Sequence, residues 1–238
     1  MSKIIVTCGK GGGGKSLKSR VLAHEIRDVA RRAVFLCDTD PQGSLFMVYR
    51  GDDESAPAVS LAPDFLDPSF SRWLDTAVIT PACRGADVLC DFGANIDQVF
   101  IKWLRERKVS SLLKKHNVEV IFLGFFTSKV ESLLLIHGFK SAMPAEQIVG
   151  FFNLGSLKHG ETFDNITRHP YFSELVETMK TPVFTLPAAN HATIEIIDGG
   201  EMTFAEALVS DQLGMVEAHE LGEYLSECRD VFTRAGVL

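Results

Sequence analysis

Gly9-Lys10-Gly11-Gly12-Gly13-Gly14-Lys15-Ser16 is a glycine run closed by a lysine and a hydroxyl. Its spacing fits G-x-x-x-x-G-K-[ST], a loop whose chemistry is the binding of phosphate. Glycine lets a backbone take positive φ and approach an anion closely. Successive N–H groups and the N-terminus of a following helix then face the phosphate oxygens. Lys15 and Ser16 fill the expected lysine and hydroxyl places, and Lys10 is a second cation in the same run. Two more clusters carry chemistry. The apolar run 33–37 ends in Asp38-Thr39-Asp40-Pro41-Gln42-Gly43, and the run 86–90 ends in Asp91-Phe92-Gly93-Ala94. Carboxylates at the end of a buried strand are costly unless they face a cation or water. Asp91 is therefore suited to hold Mg²⁺ or its water.

These residues need a scaffold that brings three strand ends together. Residues 3–8 (KIIVTC) read as a short buried strand, and a helical pattern with Val21, Leu22 and Ile26 starts near Lys15. Strand, glycine loop, helix is the context a phosphate loop requires. Further strands are expected at 33–37, 86–90, 118–125, 147–153 and 181–186, with a short edge strand at 58–61. Helices are expected over 96–115, 130–142, 172–179 and 211–234. Strands alternating with helices predict an α/β fold: a three-layer α/β/α arrangement with a mostly parallel twisted sheet and the phosphate loop after the first strand. Ligands of such sheets bind beyond the carboxyl ends of the strands, where all three motifs fall. The Asp/Pro/Ala-rich segment 51–68 reads as an irregular insertion within one domain spanning 1–238.

A chain of 238 residues with 46% hydrophobic content is enough for a full core. Its net charge of −7 argues against a general nucleic-acid binder, so any such contact needs a local patch. Lys102, Arg105, Arg107, Lys108, Lys114 and Lys115 form one, which fits either a solvated helix face or contacts to DNA phosphates. Arg27, Arg31 and Arg32 are expected to decorate an exposed helix end. Five cysteines make no C-x-x-C pair, and Cys8, Cys37 and Cys90 sit in apolar runs, as reduced core residues of a cytoplasmic protein would. No apolar run has the length of a membrane span, and the first residues read as a strand rather than a signal peptide. The last helix sets Leu213, Val216, Leu221, Leu225, Cys228 and Phe232 against Glu217, Glu220, Glu223 and Glu227. An acidic polar face is unlike that of a membrane-surface helix, so packing on the sheet is expected and membrane association is not.

The set Gly9-Lys10-Gly11-Gly12-x-Gly14-Lys15-Ser16, Asp38-x-Asp40-Pro41-Gln42-Gly43 and Asp91 resembles the deviant Walker A P-loop ATPases, which include the ParA plasmid-partition and MinD cell-division proteins. Specific motifs carry the resemblance over roughly residues 1–95, and strand–helix order carries the rest. Within this group the chain is similar to the small ParA-like proteins of conjugative-transfer and plasmid-stability operons, the TraL/StbB type. The residues are Cys37-Asp38-Thr39-Asp40-Pro41, Asp91-Phe92-Gly93-Ala94, the stretch from Phe152-Asn153 to Phe163, and Met202-Thr203-Phe204-Ala205-Glu206-Ala207-Leu208.

The resemblance implies a set of roles. Lys10 reaches across an ATP-dependent homodimer to the partner's phosphates, placing positive charge where negative charge develops. Lys15 holds the β- and γ-phosphates, and Gly9, Gly11, Gly12, Gly13, Gly14, Ser16 and the Leu17 backbone complete the cradle. Asp40 orients the attacking water. Ser16, Asp38 and Asp91 serve Mg²⁺ or its waters, and Asn153 reads the adenine edge. Leu17 replaces a second hydroxyl, Gly13 replaces a commoner valine, and Phe92-Gly93-Ala94 lacks the usual proline. These departures imply a slow ATPase. A second reading on the same fold is an ATP-dependent enzyme that activates a small carboxylate, of the dethiobiotin-synthetase type.

Overall fold

The computed structural model describes residues 1–9, 11–40, 43–49, 59–93, 96–143 and 146–238. Among them, seven strands form one sheet: β1 (Ser2–Cys8), β2 (Val34–Asp38), β3 (Ser60–Leu61), β4 (Asp87–Asp91), β5 (Val118–Phe126), β6 (Gln147–Asn153) and β7 (Val183–Leu186). Their order is β3-β2-β4-β1-β5-β6-β7, and every neighbouring pair is parallel. The crossing from β1 to β2 skips over β4, so β1 and β4 meet at the centre with their carboxyl ends side by side.

Strand alternation divides the core into two layers. Ile5, Leu36, Leu89, Ile121, Leu123 and Phe151 face one side. Ile4, Val6, Cys37, Cys90, Val120 and Phe122 face the other. The first layer is covered by α1 (Lys15–Ala23, continued by a π-helical turn His24–Val29) and α2 (Ser44–Tyr49). The second is covered by α3 (Ser69–Trp73, prolonged through Leu74–Ile79 and Thr80–Cys83), α4 (Ile96–Glu106), α5 (Val109–Lys115) and α6 (Val130–Ala142). Two short helices, α7 (Asp164–Thr167) and α8 (Pro170–Ser173, prolonged by Glu174–Thr178), close that side. The chain then returns to the first layer with α9 (His191–Gly199), α10 (Phe204–Ala207) and α11 (Met215–Arg234).

Several expected boundaries move. Asp38 and Asp91 are the last residues of their strands rather than the first residues beyond them. The expected helix over 96–115 is two helices, because Lys108 takes a left-handed φ of 53° between them. The last helix begins at Met215, so Leu213 precedes it, and Val216 is 70% exposed rather than part of its packed face. Leu221, Leu225, Cys228 and Phe232 are buried against the sheet as expected, with Glu220, Glu223 and Glu227 outside. Arg31 and Arg32 are exposed, whereas Arg27 is half-buried over the Tyr49 ring. Cys8, Cys37 and Cys90 are buried and none of the three is in a disulfide. Among the described residues no helix is long and apolar enough to cross a membrane. Residues 51–58 of the 51–68 insertion lie outside the described residues, and its described part holds β3, the short edge strand, at Ser60–Leu61.

Candidate functional site

Parallel register makes the first part of the site. Thr7 of β1 pairs with Asp91 of β4, and Asp91 pairs with Asp38 of β2. The three residues form one row across adjacent strand ends, all pointing to the α1 side of the sheet. The Thr7 hydroxyl donates to Asp91 Oδ1 at 2.9 Å, and the Ser19 hydroxyl of α1 donates to Thr7 Oγ1 at 3.2 Å. Asp91 is 3% exposed, and its Oδ2 is buried without a hydrogen-bond partner. Burial pushes the Asp91 carboxyl above its usual range, with the Ser16 and Thr7 hydroxyls and the Lys15 charge opposing that rise.

Asp38 is held just as tightly. Its Oδ1 accepts the Asp40 N–H and its Oδ2 accepts the Phe46 N–H, both at 2.9 Å. The second donor comes from the first turn of α2, so Asp38 fixes the loop and the helix that follow its own strand. Gly43 completes this pocket: a Cβ there would lie 2.5 Å from Asp38 Oδ2. Burial, and then the neighbouring Asp91 charge, raise the Asp38 pKa to about 7. Two adjacent buried carboxylates, both raised by burial and one with an orphaned oxygen, have the chemistry of a cation site. Among the described residues no group of three or more His, Cys, Asp or Glu side chains forms a metal cage. The donors present, two carboxylates and the Ser16 hydroxyl, instead fit a hard cation such as Mg²⁺, which takes one or two carboxylates and completes its shell with phosphate and water.

The loop lies over this row. Gly14 has φ 75°, a conformation that favours glycine, and caps α1 without any side-chain bond. No acidic residue occupies the first turn of α1, so its N–H groups face the cleft with no side-chain carboxylate of that turn to meet them. A Cβ at Gly14 would also lie 2.3 Å from Asn153 Nδ2. Gly11, Gly12, Gly14, Lys15, Ser16, Leu17, Asp38, Asp40 and Asp91 together line a cleft of about 380 Å³, closed on one side by Phe92 and Gly93. Asp40 is exposed at its edge. Gly9 and Gly13 lie in the same loop but not on the cleft wall, and Lys10 lies outside the described residues, as do Pro41, Gln42 and Ala94.

Asn153 is at the carboxyl end of β6, 2% exposed. Its Nδ2 donates to the Gly13 carbonyl at 2.9 Å, and its Oδ1 has no hydrogen-bond partner. The amide thus buttresses the loop from below, a part that sequence reading did not assign to it. The six cations from Lys102 to Lys115 are all exposed, on α4, α5 and their junction, and none lines the cleft. A larger open groove of about 900 Å³ runs between α4 and α6, walled by Ile101, Leu134, Leu135 and Phe139. Its carboxylates, Glu106 and Glu131, are exposed, and neither the glycine loop nor Asp38 or Asp91 lines it, so size alone does not make it the reactive site.

Sequence reading missed Thr7, Ser19, Thr39 and the Phe46 N–H. Thr39 Oγ1 accepts the Gly93 N–H at 2.7 Å, joining the loop after β2 to the loop after β4. Thr7 and Ser19 sit in an apolar strand and an ordinary helix, and only the register of β1 against β4 reveals that they meet Asp91.

Neither a protein-family model nor a curated protein sequence matches the chain. Solved structures do. A ParA family ATPase from Chlorobium tepidum is similar at a TM-score of 0.54 and 14% identity, over 94% of this chain and 98% of that one. The MinC:MinD cell division protein complex of Aquifex aeolicus is similar at 0.55 and 14%, over 98% and 96%. A plasmid partition protein of Borrelia burgdorferi, described as putative and bound to AMPPNP, is similar at 0.52 and 16%, over 98% and 99%. The seven-stranded parallel sheet with its glycine loop after β1 therefore has the fold of the ParA- and MinD-type P-loop ATPases.

Proposed function

We propose that this chain, acting over residues 1–238 as one nucleotide-binding domain, is a cytoplasmic ATP-binding and ATP-hydrolysing switch of the deviant Walker A type. The observation that carries the reading is the row Thr7–Asp91–Asp38 beneath the open N-terminus of α1, with Lys15 and Ser16 at its first turn. The backbone of Gly9, Gly11, Gly12, Gly13 and Gly14 and the Leu17 N–H cradle the phosphates. Lys15 neutralises their charge. Ser16, Asp38 and Asp91 would hold Mg²⁺, which when bound neutralises charge developing on the transferred phosphoryl group. Asp40, exposed at the cleft edge, is suited to orient the attacking water. Asn153 Oδ1 lacks a partner and is an acceptor of the kind an adenine amino group requires.

Lys10 is assigned the trans role: in an ATP-bound homodimer it meets the phosphates of the other subunit, so hydrolysis depends on pairing. The closed dimer then engages DNA through Lys102, Arg105, Arg107, Lys108, Lys114 and Lys115, or a plasmid-encoded partner protein. Plasmid partition, plasmid stability and conjugative DNA transfer are the processes this serves. The test is the mass of the protein in solution with ADP, ATP and a non-hydrolysable ATP analogue, with and without nonspecific DNA. A dimer only with the triphosphate, lost in Lys10→Ala together with turnover, is expected. Unchanged dimerisation and turnover in Lys10→Ala would overturn the mechanism. Turnover that rises with a small carboxylate but not with DNA or protein would favour the metabolic-enzyme reading.

A further inference from the structure

Lys18 is the most deeply buried ammonium among the described residues, at 1% exposure, and the phosphate chemistry above does not use it. It lies one turn into α1, three residues beyond Lys15. Its Nζ donates to the Pro187 carbonyl at 3.1 Å and to the Tyr224 hydroxyl at 2.8 Å, with Cys228 Sγ at 3.7 Å. Burying an ammonium is costly, and an apolar side chain would fill the same space without that cost. What lysine adds is its donors, and one of them holds the backbone of a loop.

That loop, 187–190, leaves the sheet beside the phosphate loop. Leu186, the last residue of β7, pairs with Asn153. Asn153 donates to Gly13, and a Cβ on Gly155 would lie 3.5 Å from Ala188 Cα. The contacts close a ring: phosphate loop, Asn153, Gly155, Ala188, Pro187, Lys18, and back through α1 to the phosphate loop. Ala188 is exposed and Pro187 half-buried, so this stretch presents a small apolar wall next to Asn153. Beneath it the packing is incomplete. A void of about 10 Å³ separates Ala189 and Asn190 from Tyr224, and Thr193 Oγ1 beside it is buried without a partner. At the loop's far end Asn190 caps α9, its Oδ1 accepting the Ala192 N–H and its carbonyl the Ile194 N–H, both at 3.1 Å, while its Nδ2 donates to Glu220.

We infer that Lys18 is a positioning residue for the base end of the nucleotide: by holding the Pro187 carbonyl it fixes loop 187–190 as the wall against which the base rests. This rests on the nucleotide-switch reading above and adds to it a determinant that lies outside the phosphate loop motif. The consequence is a separation of effects. Losing the Lys18 donor releases the wall but leaves Lys15, Ser16 and the α1 N–H groups in place, so affinity for the base falls and affinity for the phosphates does not.

The experiment compares Mg²⁺-ATP with Mg²⁺-tripolyphosphate, which carries the phosphates without base or sugar, by calorimetry on wild type, Lys18→Met and Tyr224→Phe. In Lys18→Met the preference for ATP over tripolyphosphate is expected to fall about tenfold, the worth of about one lost hydrogen bond to an oriented group, with tripolyphosphate affinity and Tm held at the wild-type level or above. Tyr224→Phe perturbs the same buried cluster but keeps the Lys18–Pro187 bond, so its preference is expected to stay at the wild-type value. An unchanged preference in Lys18→Met, or an equal loss for both ligands, overturns this inference while leaving the switch reading intact. An equal fall in preference in Tyr224→Phe also overturns it, because the effect would then follow from cluster packing. Wild type that binds neither ligand removes the switch reading and this inference with it.

Discussion

Asp91→Asn separates what the buried carboxylates cost the empty protein from what they contribute to its chemistry. Asp38 titrates in the folded chain at about 7 against an ordinary 3.8. A raised carboxyl binds its proton more tightly when folded, so the stability it contributes is complete below the unfolded pKa and is lost as pH rises through the folded one. Between pH 5.5 and pH 8 this carboxyl alone removes about 2 kcal/mol from the empty protein, or about 4–8 °C in Tm for a chain of this length. Asp91 is raised in the same direction and so contributes in the same sense. Asparagine at 91 keeps the Thr7 bond, deletes the Asp91 titration and removes the second cause of the Asp38 shift. The asparagine NH₂ is left buried where Oδ2 was, at a cost of about 1–3 kcal/mol at every pH. The pH slope, not the absolute Tm, is therefore diagnostic. Thermal melts of the ligand-free protein at pH 5.5 and 8 are expected to show the Tm fall shrinking to half or less in Asp91→Asn. Adding Mg²⁺-ATP at about a hundred times its Kd is expected to raise wild-type stability by about 2.7 kcal/mol and to leave the variant nearly unmoved. A variant with the wild-type pH slope would refute the picture of an Asp91 charge raising Asp38.

Three further outcomes follow from the same geometry. Gly43→Ala puts a Cβ into the Asp38 carboxylate, so a Mg²⁺ titration of nucleotide binding is expected to shift at least about tenfold, with little change in binding measured without the metal. Gly14→Ala combines a left-handed φ with a collision against Asn153; urea unfolding is expected to report a loss of about 1–3 kcal/mol, and nucleotide binding is expected to vanish. Replacing Lys102, Arg105, Lys114 and Lys115 by Gln leaves the cleft untouched, since none of them lines it. The salt dependence of DNA binding is expected to flatten by about 0.9 in log–log slope for each DNA phosphate no longer neutralised, and an unchanged slope would remove this face from the DNA reading.

The fold was readable where strands are continuous apolar runs. KIIVTC, VEVIFLGF and QIVGFFN admit little else, and glycine or aspartate marks where each motif strand ends. The short helices were not readable. α2, six residues long, carries SLFMVY, a run whose apolar content suits a strand as well as a helix; what makes it a helix is the Asp38 carboxylate accepting its first-turn N–H. α3 extends through a π-helical segment, which breaks the regular period on which a helical pattern is recognised. The break at Lys108 is invisible for the opposite reason, since Leu104, Val109 and Leu113 keep a near-helical spacing across it. The cleft residues with distinctive chemistry, Lys15, Ser16, Asp38, Asp40 and Asp91, were legible because glycine and charge are rare at strand ends. Thr7 and Ser19 were not, because their part comes from β1–β4 register and from the placement of α1, neither of which is local in sequence.

That placement explains a motif the phosphate chemistry leaves unused. Three buried charged side chains on one helical segment reach toward the last third of the chain. Lys18 meets Pro187 and Tyr224; Arg20 pairs with Asp198, donates to the Met202 carbonyl and lies over the Phe204 ring; Glu25 accepts from Arg229. The run Met202–Leu208 is thus the receiving surface for Arg20, and the Thr203–Glu206 capping box holds it rigid. Apolar packing alone tolerates small slides along a helix axis, whereas a buried charged side chain is strongly penalised when it loses its partner. The N-terminus of α1 aims the first-turn N–H groups at phosphate, and an ångström of slide would misaim them all together. Directional ties to α9, α10 and α11 set that aim, so the geometry of a site written in the first 91 residues is fixed by contacts made after residue 186.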